Sequence, residues 1–467
     1  MDGFADSSQH LLAELERIDL LIQDQVAQVR RLQTADEQFR GLYISEQELD
    51  ALLKQPIGRP HWFQVHHENG DDLKDAHHLL KDQLAQRKQA ARESGIELRL
   101  ETLRQLFQLN DFEYDVLLIC LAIELDLRYE RLYAYLQDDV TKKKPSVDLA
   151  LNILQPTIPE KLSSLTSFYP DAPLLIHDLV AFYSDSSQQE QPLLAKTLKL
   201  NTRIVRYLLG SDAIEEKISS FVTISNIELQ NSPDEYYLDQ SLQKKFSALL
   251  KSEWAAQSAM INLIGAYELG KQRMAETHCR EQGTNLLVVS IEQLIAHNES
   301  FSTTILQLIA REALLQNAAV YWQDFDVLLD YQHQVLLHRF VSQLQRFSGL
   351  TFLSNTTVWQ PPSTLRSFSY LQITLPKSTF ADRVSIWTSA LGETLHKQTD
   401  IDITALAGRF KFTGGQILDA TVSAYNLARW ENPKSKKITM KQLYEACRMH
   451  SNQKLSILAS KITPKYQ

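Results

Sequence analysis

The run from Ile261 to Glu276 constrains this chain more tightly than any other. Ile261-Asn262-Leu263-Ile264 is short and apolar, Gly265 and Gly270 bound a loop, and Lys271 opens a stretch of helix formers, Arg273-Met274-Ala275-Glu276. A strand, a glycine-bounded loop and a lysine-headed helix with the spacing G-x-x-x-x-G-K form a phosphate-binding loop. In such a loop backbone N–H groups converge on an anion, and the lysine neutralises its outer oxygens. Gly265, Gly270 and Lys271 fill their positions. Gln272 stands where the pattern carries a hydroxyl for Mg2+, and Tyr267, Glu268 and Leu269 make the loop bulky. The Glu268 carboxylate would repel a phosphate.

Beyond residue 225 apolar strand-like runs alternate with helical ones, the grammar of a parallel sheet with crossover helices. Ile261–Gly265, Asn285–Ser290, Asn317–Trp322, Gly349–Asn355 and Tyr370–Leu375 are the five expected strands, and Ser302 to Gln316 is one of the helices between them. After Pro376 the pattern is helical, with a break at Gly414-Gly415. The length of 467 residues fits roughly three domains, and 14 Gly with 14 Pro leave room for few hairpins. The expected division is a helical region over 1–94, a helical winged-helix-like domain over 95–225, a five-stranded parallel α/β core over 226–376 and a helical lid over 377–467.

The amino-terminal half is helical. Leu11, Leu15, Ile18, Ile22, Val26 and Val29 recur at helical spacing behind Ser7 or Ser8 as cap. The polar face of this helix is not basic, so it reads as a packing or self-association element rather than a membrane binder. Ser45 with Glu48 marks a capping box, and Pro56, Gly58 and Pro60 then break the chain. Asn110 or Asp111 caps the helix that carries the apolar Val116–Ile123. The runs around Pro173–Ile176 and Ser220–Val222 are expected to form the small hairpin of a winged helix. Lys142, Lys143 and Lys144, beside Asp138 and Asp139, read as a solvated turn. His66, His67, His77 and His78 have no i,i+4 partner and no nearby cysteine, so no metal site is expected.

Composition excludes several classes. A net charge of -9 argues against general attraction to nucleic acid or anionic lipid. Cys120, Cys279 and Cys447 are far apart and form no C-x-x-C pair, which fits a reducing compartment. Met1-Asp2-Gly3-Phe4-Ala5-Asp6 is acidic, unlike a signal peptide, and no apolar run approaches the roughly 20 residues that span a bilayer. A cytoplasmic protein binding neither membrane nor nucleic acid is expected. G-x-S-x-G and H-E-x-x-H motifs are absent from the sequence.

Five strands, a phosphate loop after the first and a helical appendage after the fifth resemble the AAA+ ATPases over roughly residues 226–467. The chain resembles still more closely a bacterial AAA+ family with an N-terminal winged-helix-type domain, associated with contractile injection systems. The residues that carry this are Glu124–Asp139, Arg311-Glu312-Ala313, Phe412-Thr413-Gly414-Gly415-Gln416-Ile417 and Leu455-Ser456-Ile457-Leu458-Ala459-Ser460-Lys461-Ile462-Thr463-Pro464. In such proteins a degenerate first ATPase module precedes an intact second one, so the resemblance implies that this chain is an amino-terminal portion or a truncated relative. It implies a site for ATP or ADP at Gly265, Gly270, Lys271 and Gln272, at the carboxyl ends of the strands.

The second nucleotide motif then falls on Val320-Tyr321-Trp322-Gln323-Asp324, with Gln323 in place of the Mg2+-binding acid and Asp324 in the catalytic acid's place. Asn355 falls at the position that aligns the attacking water, with Thr356 as alternative. The Gly414-Gly415-Gln416 region lacks the arginine many relatives use there, and Arg366 or Arg383 is the candidate for an arginine finger. Phosphoryl transfer rests on positioning and charge neutralisation. With glutamines at both Mg2+-holding places, and each ~1.36 kcal/mol worth tenfold in rate, nucleotide binding without turnover is expected. The leading expectation is a remodelling component, of unfoldase or disassembly type, that assembles with AAA+ ring partners or with itself and acts on a protein client. The alternatives are a winged-helix DNA-binding regulator and a nucleotide-free interaction scaffold.

Overall fold

The computed structural model describes residues 3–32, 71–183, 191–225, 240–250, 259–266, 269–296, 303–344, 349–365, 369–396, 401–433 and 438–460. Ser45, Glu48, Pro56, Gly58, Pro60, His66, His67, Tyr267, Glu268 and Arg366 lie outside them. The chain divides into two compact units, Met1–Glu215 with residues 310–315, and Glu216–Ile309 with Gln316–Gln467. The boundary expected at 225 therefore moves to Glu215.

In the first unit the Asp6 carboxylate accepts the N–H of Gln9 at 2.8 Å and begins helix α1 (Ser7–Leu32). The cap is thus Asp6, and the Ser7 hydroxyl instead accepts the N–H of Arg99 at 2.9 Å. Helix α2 (Asp71–Glu93) closes over α1 through Leu84 and Ala91, which cluster with Phe4, Ala13 and Leu98. The next helices are α3 (Arg99–Leu106), α4 (Asp111–Leu125), α5 (Arg128–Leu136) and α6 (Val147–Leu154). Asn110 caps α4 in a reciprocal box with Glu113, satisfying donors that a helix start otherwise leaves orphaned. Val116 through Ala122 are buried on every side, so α4 is the central helix. Leu11, Ile18 and Ile22 share one core with Leu103, Leu117 and Tyr133. The expected region 1–94 is accordingly not a domain apart, because its long helix packs into one core with the helices that follow.

An antiparallel pair, β1 (Val180–Tyr183) and β2 (Thr197–Leu200), is followed by helix α7 (Thr202–Leu208). This corrects the hairpin expected at 173–176 and 220–222. Pro173, with its fixed φ and missing donor, starts a helical turn, Pro173–Ile176. Also in this unit, the guanidinium of Arg203 grips the Glu312 carboxylate at 3.0 and 2.8 Å, both side chains essentially sealed from solvent. Arg311, fully buried, donates to the Asp178 carbonyl at 2.7 Å and the Glu215 carboxylate at 2.8 Å.

The second unit holds a mixed sheet of strands β3 (Val222–Ser225), β4 (Ala259–Ile264), β5 (Asn285–Ser290), β6 (Ala318–Gln323), β7 (Leu350–Asn355) and β8 (Ser369–Thr374), in the order β3-β5-β6-β7-β4-β8. Five strands are parallel, and β3 runs antiparallel along β5. The expected five-stranded parallel sheet is therefore six-stranded and mixed. Val222–Ser225 supplies the extra edge because the outer side of β5 would otherwise leave its backbone groups unpaired.

Strands β4 to β7 are buried along nearly their whole length because helices cover both faces. On one face Ile261, Leu263 and Phe352 pack with Phe246 of α8 (Gln240–Leu250) and with Met274, Ala275 and Cys279 of α9 (Lys271–Gln282). On the other, Trp322 meets Phe340 of a helix over Gln334–Leu344 edge to face, centroids 4.8 Å apart. After Pro376, α10 (Phe380–His396), α11 (Ile403–Arg409), α12 (Gly414–Glu431) and α13 (Met440–Ser460) share a separate cluster around Trp387, Leu406, Ile417 and Leu443. Thr413 caps α12 in a box with Gln416, so Gly414-Gly415 is the first turn of that helix and not a break.

Candidate functional site

Consecutive connections leave the carboxyl ends of β4 and β7 in opposite directions. From β4 the chain goes to β5, beyond β7 and β6; from β7 it goes to β8, on the far side of β4. Two neighbouring strands whose crossovers diverge open a crevice at their carboxyl edge, the usual ligand position in open α/β sheets. Gly265 follows β4 at that edge. Its N–H donates to the Asn355 carbonyl at 3.0 Å, closing the register between the two strand ends. Gly270, with φ of 84°, sits in the left-handed region and turns the chain into α9, a conformation costly for any side chain.

Lys271 begins α9 and points back into the crevice. Its Nζ donates to the carbonyls of Gly265 and Asn355, each at 2.9 Å, and the side chain is buried. Burial lowers its pKa from the usual lysine range, against the pull of Asp326 and Asp324. Asp324, at φ of 57° just past β6, lies within electrostatic reach. Burial first, then Glu292, push its carboxyl above the ordinary range, while Lys271 draws it down and Asp326 raises it again. Gly265, Lys271 and Asn355 are thus hydrogen-bonded together, with Asp324 within electrostatic reach of the ammonium.

The other expected residues point elsewhere. Gln272 Nε2 donates along α9 to Glu276 at 2.9 Å, and Glu276 also receives the Ser225 hydroxyl at 2.8 Å. Only the Asn355 carbonyl faces the lysine. Its side chain is sealed in the sheet, donating to Asn262 Oδ1 at 2.6 Å. From there the chain of bonds runs from Asn262 Nδ2 to the Tyr370 hydroxyl at 3.0 Å and on to the Trp359 carbonyl at 2.6 Å. The Asn355 Oδ1 atom itself has no hydrogen-bond partner among the described residues. Arg383 is buried and ties α10 to α11, donating to the carbonyls of Ala407 at 2.9 Å and Ser378 at 2.7 Å, so it is no free arginine finger. Thr356 is exposed and tied by its N–H to Asp326 at 2.7 Å.

Asp326 and Asn262 escaped sequence reasoning. Asp326 accepts the N–H groups of Thr356 and Thr357 and the Thr357 hydroxyl, pinning the segment after β7 beside the crevice. The signal for Asn262 was visible, a lone amide inside Ala259–Ile264, since a buried amide must find partners. The crevice therefore holds a buried cation whose ammonium is bonded to two backbone carbonyls. The two glutamine places offer Mg2+ no carboxylate or hydroxyl, so the set does not fit that ion as the resemblance would have it.

Among the described residues no helix is long and apolar enough to cross a membrane. No curated protein matches the chain. A solved structure described as "Structural Basis for Katanin Self-Assembly" aligns with 51% of this chain and 93% of its own at 17% identity and a TM-score of 0.38, which says nothing further of this chain. Residues 1–222 match the family model "Winged helix domain, variant", and residues 379–453 match "Contractile injection system ATPase helical domain".

Proposed function

We propose that this chain is an ATPase-related component of the AAA+ type, working with a contractile injection system, whose own module takes up ATP or ADP without turning it over. The observation that carries the reading is the match of residues 379–453 to an injection-system ATPase helical domain, in the same unit as the lysine-headed crevice. Lys271 and the N–H groups at the start of α9 supply the phosphate contacts. Gln272 and Gln323 support the lack of turnover, because neither can hold the metal that neutralises the transferred phosphoryl group. The role is then geometric: a nucleotide-stabilised module in an assembly with AAA+ partners or with further copies, acting on a protein client.

A second reading is favoured by the Lys271 hydrogen bonds. An ammonium already satisfied by Gly265 and Asn355 describes a crevice that serves as a scaffold with no nucleotide. Calorimetric titration with ATP, with and without Mg2+, separates the two. The first reading requires saturable heat that Lys271→Ala abolishes. Absence of heat at millimolar ATP leaves the scaffold.

A further inference from the structure

His10, Glu14 and Glu101 meet inside the first unit, His10 and Glu14 one turn apart on α1 and Glu101 in the first turn of α3. They are 0%, 2% and 7% exposed, and a donor atom from each lies within 4.8 Å of the others. His10 Nε2 stands 3.6 Å from Glu14 Oε1 and 3.9 Å from Glu101 Oε1, beyond hydrogen-bond length. Neither ring nitrogen of His10 has a hydrogen-bond partner. The ring packs against Phe4 with centroids 5.0 Å apart.

The carboxylates are fixed from outside. Arg17 donates to Glu14 Oε2 at 2.8 Å, Arg92 to Glu101 Oε2 at 3.1 Å and the Tyr114 hydroxyl to Glu101 Oε1 at 3.2 Å. Lys88 Nζ lies 3.1 Å from the Oε1 atom of both acids.

We propose that His10, Glu14 and Glu101 bind a transition-metal ion, Zn2+ first among them, in the place now held by the Lys88 ammonium. Tetrahedral Zn2+ with N and O donors at ~2.1 Å sets its ligand atoms roughly 3.4 Å apart, close to the two distances that His10 shows. One imidazole with two carboxylates suits Zn2+ better than the all-oxygen sets that Ca2+ and Mg2+ prefer. The bonds from Arg17, Arg92 and Tyr114 are the outer contacts that orient ligating carboxylates. A cavity of about 40 Å3 lined by Glu14, Lys88 and Tyr114, among others, adjoins the Glu14 side of the site. The Lys88 side chain is 18% exposed, so it can leave for solvent as a dication arrives. The ion then staples α1 to α3, and its binding adds to the stability of the unit.

The experiment is calorimetric titration of the metal-stripped full chain with Zn2+, paired with thermal unfolding. One Zn2+ per chain and a raised Tm are expected, with loss of that site in His10→Phe, which keeps a ring against Phe4, and in Glu101→Gln. Lys88→Met removes the competing ammonium and is expected to bind about tenfold tighter, ~1.4 kcal/mol. Equal stoichiometry and affinity in His10→Phe and the unmodified chain would place the metal elsewhere and overturn the proposal. Should His10→Phe not fold, Lys88→Met decides alone, and unchanged or absent Zn2+ binding there overturns it.

Discussion

Asn262 decides what a single side chain can do here. It accepts from Asn355 and donates to Tyr370 in a part of the sheet with no solvent. Asn262→Ala should lower unfolding stability by about 1–3 kcal/mol, because two buried groups lose their partners together; urea denaturation measures it. His77 gives a pH dependence. Burial, then Arg17, His78 and Lys81, lower its pKa to about 4 from 6.5, against a weaker pull from Glu14. The unfolded chain therefore binds the proton more readily, so stability falls as pH drops from 6.5 toward 4 and is untouched above 6.5. His77→Gln should flatten that limb by on the order of 1 kcal/mol after allowance for solvent screening. Glu14 acts lower. Burial would raise its carboxyl, but His10, Arg17 and Lys88 outweigh that and hold it well below the usual range, so its share is lost only as pH falls beneath 4.5.

At the scale of elements, two devices position the crevice and the first unit. Gly270 lets the chain turn into α9 through the left-handed region, and its substitution by alanine should cost about 1–2 kcal/mol of strain. The same change should weaken any ATP heat, since it shifts the adjoining lysine. In the first unit, Arg203 and Glu312 form a sealed ion pair. Replacing one partner strands the other charge, so Arg203→Met should cost about 3–5 kcal/mol in chemical denaturation, whereas Arg203→Met with Glu312→Leu should recover much of it. Recovery in the double variant is the outcome that separates a stranded charge from a packing defect.

For the whole molecule, the central expectation is binding without catalysis. Restoring a hydroxyl and a carboxylate with Gln272→Thr and Gln323→Asp together should bring Mg2+-dependent phosphate release above the level of the unmodified chain, read by a coupled phosphate assay. No gain in a variant that still binds ATP would mean that the sealed Asn355 side chain, rather than the missing metal ligands, holds turnover down.

The sequence by itself determined the parallel strands almost to the residue, since runs such as Leu286–Val289 have no polar face and can only be buried on both sides. It also determined that Lys271 heads a helix just after Gly270, because that depends on local spacing. Only the tertiary structure decided that Val222–Ser225 joins the sheet, that Val180–Tyr183 pairs with Thr197–Leu200, and that Arg383 ties α10 to α11. It likewise decided that the Asn355 amide turns into the sheet while its carbonyl meets Lys271. The meeting of His10 and Glu14 with Glu101 belongs there too. Short strands, edge pairing and the partners of a buried polar atom are set by what lies across space, where the order of residues along the chain carries no signal.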